Sequence, residues 1–169
     1  MQRILVIGSG GAGKTTLAKR LGCILKIEVI HLDSLYWQSD WIEPPKPEWQ
    51  KTVEQLLTRD CWIMDGNYSG TLELRLAACD TVIFLDLPRT TCLWRVIKRA
   101  RKYRNQSRPE MTEGCPERID LAFLFWVWNY QKRTKPKIVS MLKNKPASNI
   151  IWLRTDAEVE GFLARLKGH

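Results

Sequence analysis

One short stretch near the start of the sequence combines four glycines with a lysine and two threonines. It consists of Gly8, Ser9, Gly10, Gly11, Ala12, Gly13, Lys14, Thr15 and Thr16. Glycines let a backbone curl so that successive N–H groups point at an anion, and a helix that follows adds its positive N-terminal end. Because the spacing G-x-x-x-x-G-K-T follows an apolar run, it predicts a loop that binds the phosphates of a nucleoside triphosphate.

The lysine and the threonine that end this pattern have separate tasks in such a loop. The ammonium of Lys14 would pair with phosphate charge, and the hydroxyl of Thr15 would be a ligand of Mg²⁺. The stretch also satisfies the G-x-G-x-x-G spacing of dinucleotide-binding loops, but the lysine–threonine ending favours a triphosphate. We therefore predict ATP and Mg²⁺ as cofactors.

A magnesium site of this kind needs a carboxylate at the end of a neighbouring strand. Asp65 follows the apolar run WIM and fits that position. Because Gly66 comes next, an ordinary Asp-Gly turn is the alternative interpretation. Asp86, at the end of VIFLD, is a second candidate for the magnesium side.

Apolar runs bounded by turn residues alternate with helical patterns along the chain. The predicted strands cover residues 3–8, 26–32, 61–65, 80–88 and 149–155. The predicted helices cover residues 15–25, 47–59, 71–78, 89–104, 118–133 and 156–166. Since parallel strands need crossover connections and helices supply them, this order predicts an α/β fold. We expect a single domain over residues 1–169, with a small lid at about residues 100–118.

Two further groups of residues are expected to serve the fold and not the chemistry. The aromatic run in the fifth predicted helix is expected to lie in the core: Phe123, Phe125, Trp126 and Trp128. His31 is expected to be a strand residue without a chemical role.

The composition fits one soluble domain. The chain has 169 residues, of which 44% are hydrophobic, and it includes eight tryptophans, which is enough for one core. Its five cysteines are odd in number and form no C-x-x-C pair, so neither a disulfide framework nor a zinc site is indicated. No apolar run reaches the roughly 20 residues that span a bilayer. We expect a cytoplasmic protein without membrane association.

The formal net charge of +9 is unevenly distributed. Residues 1–90 contain 10 basic and 11 acidic residues, whereas residues 91–169 contain 17 and 7. A basic second half suits a nucleoside triphosphate, and it would also suit a nucleic-acid backbone or form a solvated helix face. Part of the excess is a run of seven basic residues without an acidic one: Arg95, Lys98, Arg99, Arg101, Lys102, Arg104 and Arg108.

Several motifs together resemble those of the adenylate-kinase-like P-loop kinases. They are GSGGAGKTT, WIMDGNYSGTLELR and VIFLDLPRTTCLWRVIKR. More narrowly, HLDSLYW, DGNYS and CPERIDLAFLFWVW resemble bacterial proteins of the DNA topology modulation, FlaR-related family. The resemblance implies a three-layer P-loop NTPase fold with a five-stranded parallel sheet of order 2-3-1-4-5. It also implies ATP at the switch point of the sheet and an acceptor pocket after strands two and three.

The resemblance assigns roles to individual residues. Lys14 and Thr15 carry over directly, and Asp65 matches the Asp-Gly of the family motif DGxPR. Here that motif reads DGNYS, so its proline and arginine are missing, and Arg75 is the only nearby substitute.

The resemblance also assigns the arginines of the second half. Arg95 and Arg99 match the paired arginines that reach the nucleotide and its phosphates from the helix after strand four. Arg118 and Asp120 are a loose counterpart of the arginine–acid pair that follows the lid.

The segment after strand two distinguishes this sequence from adenylate kinases, which bind a monophosphate with arginines there. No arginine occurs between Arg20 and Arg59, and Asp33 stands beside aromatic residues instead. A monophosphate is already ionised, whereas an alcohol must lose its proton as it attacks. The sequence therefore favours a hydroxyl acceptor, such as a nucleoside or a sugar-like alcohol, with Asp33 as its base. Alternatively, Asp33 caps a helix.

The acceptor pocket is predicted to contain Asp33, Tyr36, Trp37, Asp65, Asn67 and Arg75. Tyr36 and Trp37 could instead be core residues.

These observations predict a magnesium-dependent, ATP-binding phosphotransferase with a small-molecule acceptor. Its catalytic residues would be Lys14, Asp33, Arg95 and Arg99. The alternative is a regulatory P-loop ATPase or a nucleic-acid-associated protein that influences DNA topology. Because no helix-turn-helix, zinc-finger or RNA-binding signature supports the alternative, the phosphotransferase is favoured.

Overall fold

The computed structural model describes residues 1–104, 106, 110–112, 114–117, 120–143, 145–146 and 149–168. Two residues singled out in the sequence, Arg108 of the basic run and Arg118 after the lid, lie outside the described residues.

Five strands form one sheet in which all neighbours are parallel. They are β1 (Arg3–Gly8), β2 (Val29–His31), β3 (Trp62–Asp65), β4 (Thr81–Leu85) and β5 (Ile150–Leu153). Their order is β2-β3-β1-β4-β5, which confirms the predicted fold class and strand order. Because the strands are parallel, β1, β2 and β3 all end at the same edge of the sheet. That edge carries the glycine-rich stretch after β1.

Helices connect the strands. They are α1 (Lys14–Leu25), α2 (Leu32–Tyr36), α3 (Lys46–Leu57), α4 (Ser69–Ala78), α5 (Arg89–Lys102), α6 (Leu121–Arg133), α7 (Lys135–Leu142) and α8 (Asp156–Lys167), with a short 3₁₀-type turn at Ser39–Trp41.

The helices cover both faces of the sheet and bury two apolar clusters. One cluster joins the sheet to α3, α4 and α7 through Trp49, Leu72 and Ile138. The other joins it to α1, α5 and α8 through Leu17, Val96 and Phe162. The sheet is therefore buried on both sides, as expected for parallel strands that read as continuous apolar runs.

The predicted boundaries of the second strand are wrong, and so is the alternative in which Asp33 caps a helix. β2 cannot begin at Lys26, because that residue ends α1 in the left-handed conformation with φ 58°. The strand stops at His31, and the buried Leu32 already belongs to α2. The N-cap of α2 is His31, so Asp33 is the second residue of the helix and not its cap.

The last third of the chain contains a helix that the sequence pattern does not predict. α7 follows α6 after one residue, with Pro136 in its first turn, a position where proline is tolerated. α6 itself begins at Leu121, and the carboxylate of Asp120 caps it by accepting from the N–H of Ala122 at 2.8 Å. α8 begins at Asp156, as predicted, and the Thr155 hydroxyl caps it by accepting from the N–H of Glu158 at 3.1 Å.

The aromatic run of α6 is only partly internal. Val127 and Tyr130 are its buried residues, whereas Phe125 and Trp128 are 58% and 40% exposed. The guanidinium of Arg89 lies 4.0 Å from the ring centre of Trp128. Core burial is therefore the wrong prediction for Phe125 and Trp128, because they lie on the face of α6 turned away from the sheet.

Among the described residues, no helix combines the length and the apolar character that crossing a membrane requires.

Candidate functional site

A cavity of about 1470 Å³ opens at the edge of the sheet where β1, β2 and β3 end. This volume exceeds the roughly 300–1,000 Å³ of a pocket for one small ligand, so a nucleotide and a second molecule fit together. The predicted site residues that line it are Gly10, Gly11, Gly13, Lys14, Thr15, Thr16, Asp33, Tyr36, Trp37, Asp65, Asn67, Arg95 and Arg99.

The glycine-rich stretch forms a tight loop between β1 and α1. Gly13 is the N-cap of α1 with φ 94°, and no side chain caps the helix. Gly11 has φ 77°, and a Cβ atom there would lie 2.2 Å from the carbonyl oxygen of Cys92. The first N–H groups of α1 therefore remain available to an anion, as in phosphate-binding loops.

Lys14 lies over this loop. Its Nζ donates to the carbonyl oxygens of Gly8 and Ser9 at 3.1 and 3.0 Å. Burial lowers the pKa of Lys14, and the negative charges of Asp33 and Asp65 oppose that effect. The ammonium thus lies within electrostatic reach of both predicted carboxylates.

Asp65 connects the loop with the neighbouring strand. Its Oδ2 accepts from the Thr15 hydroxyl at 2.7 Å, and its Oδ1 lies 2.7 Å from Nδ1 of His31. A hydroxyl beside a carboxylate is the oxygen donor set that Mg²⁺ prefers, so these residues fit the predicted metal. Gly66 has φ 137°, a conformation that glycine adopts more readily than other residues.

His31 is the last residue of β2, as expected for a strand residue, and it contacts Asp65, which the sequence did not predict. A sequence signal existed, because His31 and Asp65 end adjacent parallel strands and are partners in the register. The missing information was the register of the two strands, because the predicted strand order already made them neighbours.

Asp86, the second metal candidate, is engaged elsewhere. Its carboxylate accepts from Lys135 at 2.6 Å and from Gln131 at 3.1 Å. Asp65, and not Asp86, is the carboxylate hydrogen-bonded to Thr15.

Asp33 lies in the same cavity and has a partner that the sequence did not reveal. The phenol of Tyr68 donates to Oδ1 of Asp33 at 2.7 Å. Tyr68 belongs to the DGNYS motif, but its partner comes from a segment 35 residues away, so only the fold brings the two together.

Aromatic rings surround this carboxylate. The ring centre of Tyr36 lies 4.5 Å from that of Tyr68 and 5.0 Å from that of Trp49, and Trp37 lies 5.4 Å from Trp41. Tyr36 and Trp37 are half-buried and also line the cavity. Each is therefore partly a core residue and partly a residue of the cavity wall.

Asn67 and Arg75 hold the loop after β3. Asn67 accepts from the N–H of Gly8 at 3.2 Å and donates to its carbonyl oxygen at 2.8 Å. Arg75 is fully buried and donates to the carbonyl oxygens of Gly66, Asn67 and Tyr68. The prediction that Arg75 lines the acceptor pocket is therefore wrong, because its guanidinium is engaged by the backbone below the cavity.

Arg95 and Arg99 reach the cavity from α5, and each is in an ion pair. Arg95 donates to the carboxylate of Asp156 at 2.6 and 2.8 Å. Nε of Arg99 lies 2.8 Å from Oε1 of Glu117. The predicted arginine pair thus lies beside the phosphate-binding loop.

The described part of the predicted lid segment contacts the segment after β2. The Thr112 hydroxyl donates to the carbonyl oxygen of Ser34 at 3.0 Å. The N–H of Asp40 donates to the carbonyl oxygen of Gly114 at 3.0 Å. Lys19 of α1 forms an ion pair with Glu110. The described residues among 110–117 therefore contact both α1 and the segment after β2.

Comparison with known proteins identifies the fold. No model of a protein family matches the chain, and no match is found among curated proteins. Two solved structures similar to the chain are shikimate kinases, and each is 17% identical to it. The enzyme from Acinetobacter baumannii, solved in complex with shikimate, has a TM-score of 0.60 and matches 98% of this chain and 90% of its own. The enzyme from Bacteroides thetaiotaomicron has a TM-score of 0.52 and matches 99% and 97%.

At 17% identity this similarity establishes the P-loop kinase fold and does not identify a substrate. The narrower resemblance to FlaR-related proteins stays a prediction.

Proposed function

We propose that this chain is a phosphotransferase that moves the γ-phosphoryl group of ATP to a hydroxyl group of a small molecule. The observation that carries the proposal is the convergence of three groups in one cavity. A phosphate-binding loop with Lys14, the Thr15–Asp65 pair and the carboxylate of Asp33 all lie in its wall.

The chemistry follows from these positions. Asp33 takes the proton of the acceptor hydroxyl, whose oxygen forms a bond to the γ-phosphorus. The bond between that phosphorus and the β–γ bridging oxygen breaks, and ADP leaves with the electron pair. Lys14 and the N–H groups of the loop neutralise phosphate charge, as positioning and charge stabilisation provide most of the catalysis in phosphoryl transfer.

Thr15 and Asp65 would hold Mg²⁺, which supplies positive charge to the phosphates when bound. The described residues contain no group of three or more His, Cys, Asp or Glu side chains placed to hold a metal. This is compatible with a magnesium ion that shares its ligands with phosphate oxygens and water.

Arg95 and Arg99 would add charge on the side of the transferring group. Both have carboxylate partners on other segments, so phosphate oxygens would compete with Asp156 and Glu117 for the guanidinium groups.

The similarity to two proteins named as kinases supports the reaction class. The resemblance to FlaR-related proteins enters the proposal through its motifs, because HLDSLYW contains Asp33 and DGNYS contains Tyr68. We propose a nucleoside or a sugar-like alcohol as the acceptor and a cytoplasmic location. No observation on the described residues favours the nucleic-acid alternative.

A transfer screen tests the proposal. Nucleosides, nucleotides and sugars are incubated with ATP labelled at the γ-phosphate and Mg²⁺, and labelled products are separated. We expect at least one hydroxyl compound to be labelled by the wild type and none by Lys14→Ala. Lys51→Ala, which removes an exposed lysine of α3, is the matched control and should retain transfer. A wild-type protein that binds ATP but labels no acceptor and releases no phosphate would contradict the proposal.

A further inference from the structure

Tyr68 contacts Asp33, and the proposed function gives it no role in binding or catalysis. Its hydroxyl has one proton, which it donates to Oδ1 of Asp33 at 2.7 Å. An ionised carboxylate can only accept hydrogen bonds. The phenol proton is therefore directed to Asp33.

The backbone of Tyr68 is held in an uncommon conformation. Its φ is 31°, in the left-handed region that costs a bulky residue energy. The guanidinium of Arg75 binds the carbonyl oxygens of Gly66, Asn67 and Tyr68 in succession. A fully buried arginine thus maintains the turn that directs the tyrosine towards the cavity.

The ring of Tyr68 is fixed as well. Its centre lies 4.5 Å from that of Tyr36 and 5.3 Å from that of Trp49. With both neighbours packed against it, the phenol has little freedom to leave Asp33. A hydrogen-bond donor restrained in this way is typical of a group that orients a catalytic side chain.

We propose that Tyr68 is a positioning residue for phosphoryl transfer: it occupies Oδ1 of Asp33 and thereby directs Oδ2 to the acceptor hydroxyl. The inference rests on the proposed function, because it assumes that Asp33 accepts the proton of the attacking oxygen. The proton passes from the acceptor to Oδ2, and the phenol keeps its own.

The protonation state of the phenol agrees with this role. Burial, followed by the charge of Asp33, raises the pKa of Tyr68 far above its usual value. Tyr68 is therefore a donor throughout the pH range in which the protein would be assayed. Asp33, Tyr36 and Trp49 lie against the Tyr68 side chain.

The experiment is a double-mutant cycle with Tyr68→Phe, which retains the ring and removes the donor, and Asp33→Ala, which removes the base and the acceptor of the bond. The probe is release of phosphate from MgATP, in which water takes the place of the acceptor hydroxyl and must also lose a proton. We expect Tyr68→Phe to lower kcat about tenfold, within the range of general-base effects, with KM for ATP unchanged. In the Asp33→Ala background the same substitution should have no further effect.

Tyr130→Phe is the matched control, because Tyr130 is a buried tyrosine away from the cavity wall. It should leave kcat within twofold of the wild type. The four proteins of the cycle, which are the wild type, the two single variants and the double variant, are also unfolded with urea. We expect non-additive shifts of the midpoints, which would show that the bond between Tyr68 and Asp33 exists in solution whatever the activity.

The outcomes separate the two proposals. If the wild type turns over ATP and Tyr68→Phe has the same kcat, the positioning role is overturned and the proposed function stands. Additive midpoint shifts in urea would overturn the positioning role directly. If the wild type neither hydrolyses ATP nor labels any acceptor, the proposed function fails, and this inference fails with it.

Discussion

At the residue scale, the two carboxylates of the site owe their orientation to partners on other elements. Asp65 is held by Thr15 and His31, and Asp33 is held by Tyr68. The sequence predicted the first carboxylate and its threonine because both belong to a motif. It did not predict His31 or Tyr68, because a hydrogen bond over 34 or 35 residues is set by strand register and side-chain packing and not by local spacing.

The role of His31 as an orienting partner gives a first prediction. His31→Ala removes one of the two bonds to Asp65, and loss of an outer-shell partner typically weakens metal binding about 10- to 100-fold. We expect the Mg²⁺ concentration needed for half-maximal ATP binding, measured by calorimetry, to rise by that order. His31→Asn, which can still donate to Asp65, should restore most of the affinity. Equal Mg²⁺ dependence in all three proteins would contradict this role.

The buried guanidinium of Arg75 gives a second prediction. Burial lowers the pKa of Arg75 to about 10, so the group is still charged at neutral pH and depends on its carbonyl partners. Arg75→Met keeps most of the volume and leaves those carbonyls without their donor, which costs about 1–3 kcal/mol for each unsatisfied buried group. We expect a loss of about 3 kcal/mol in the free energy of unfolding, measured with urea. A stable variant with weakened acceptor binding would instead restore the original assignment of Arg75 to the pocket.

At the element scale, the candidate site residues lie at the ends of strands and the starts of helices. The sequence predicted this arrangement well, because continuous apolar runs separated by turn residues are a strong pattern for parallel strands. It failed at β2 and α7. β2 has only three residues, and the turn from β2 into α2 depends on burial of Leu32, which no local pattern reports. α7 is short, and the sequence pattern predicts no helix between residues 133 and 156.

Glycine substitutions in two elements give a third prediction. In the phosphate-binding loop, a Cβ atom on Gly11 would lie 2.2 Å from the carbonyl oxygen of Cys92, and its φ is 77°. In α8, a Cβ atom on Gly161 would meet nothing within 4 Å. We therefore expect Gly11→Ala to lower both thermal stability and ATP affinity, whereas Gly161→Ala should stabilise the helix by about 0.5–1 kcal/mol. Thermal unfolding with and without ATP measures both effects, and a Gly11→Ala protein with wild-type stability would show that the loop differs from this geometry.

At the scale of the whole molecule, part of the basic excess of the second half is compensated within the fold. Arg95, Arg99 and Lys135 of that half each form an ion pair with a carboxylate. Arg101 and Arg104 are exposed, as expected for solvated side chains. The predicted alternative of a nucleic-acid surface would depend on these two residues.

Binding of duplex DNA distinguishes the two interpretations and gives a fourth prediction. We expect no micromolar binding at physiological salt, and no difference between the wild type and a protein with Arg101→Ala and Arg104→Ala, measured by fluorescence anisotropy. Micromolar affinity with a steep salt dependence that the double substitution removes would favour the nucleic-acid interpretation.

The central claim is that the phosphoryl group is transferred to a hydroxyl oxygen with Asp33 as the base. The most direct measurement is ³¹P NMR of the product made by the wild type and by Asp33→Asn from the same acceptor. The account predicts a phosphate monoester, formed about 10²- to 10⁴-fold more slowly by Asp33→Asn at unchanged ATP affinity. A phosphoanhydride formed rapidly on a nucleoside monophosphate, with Asp33→Asn fully active, would contradict it.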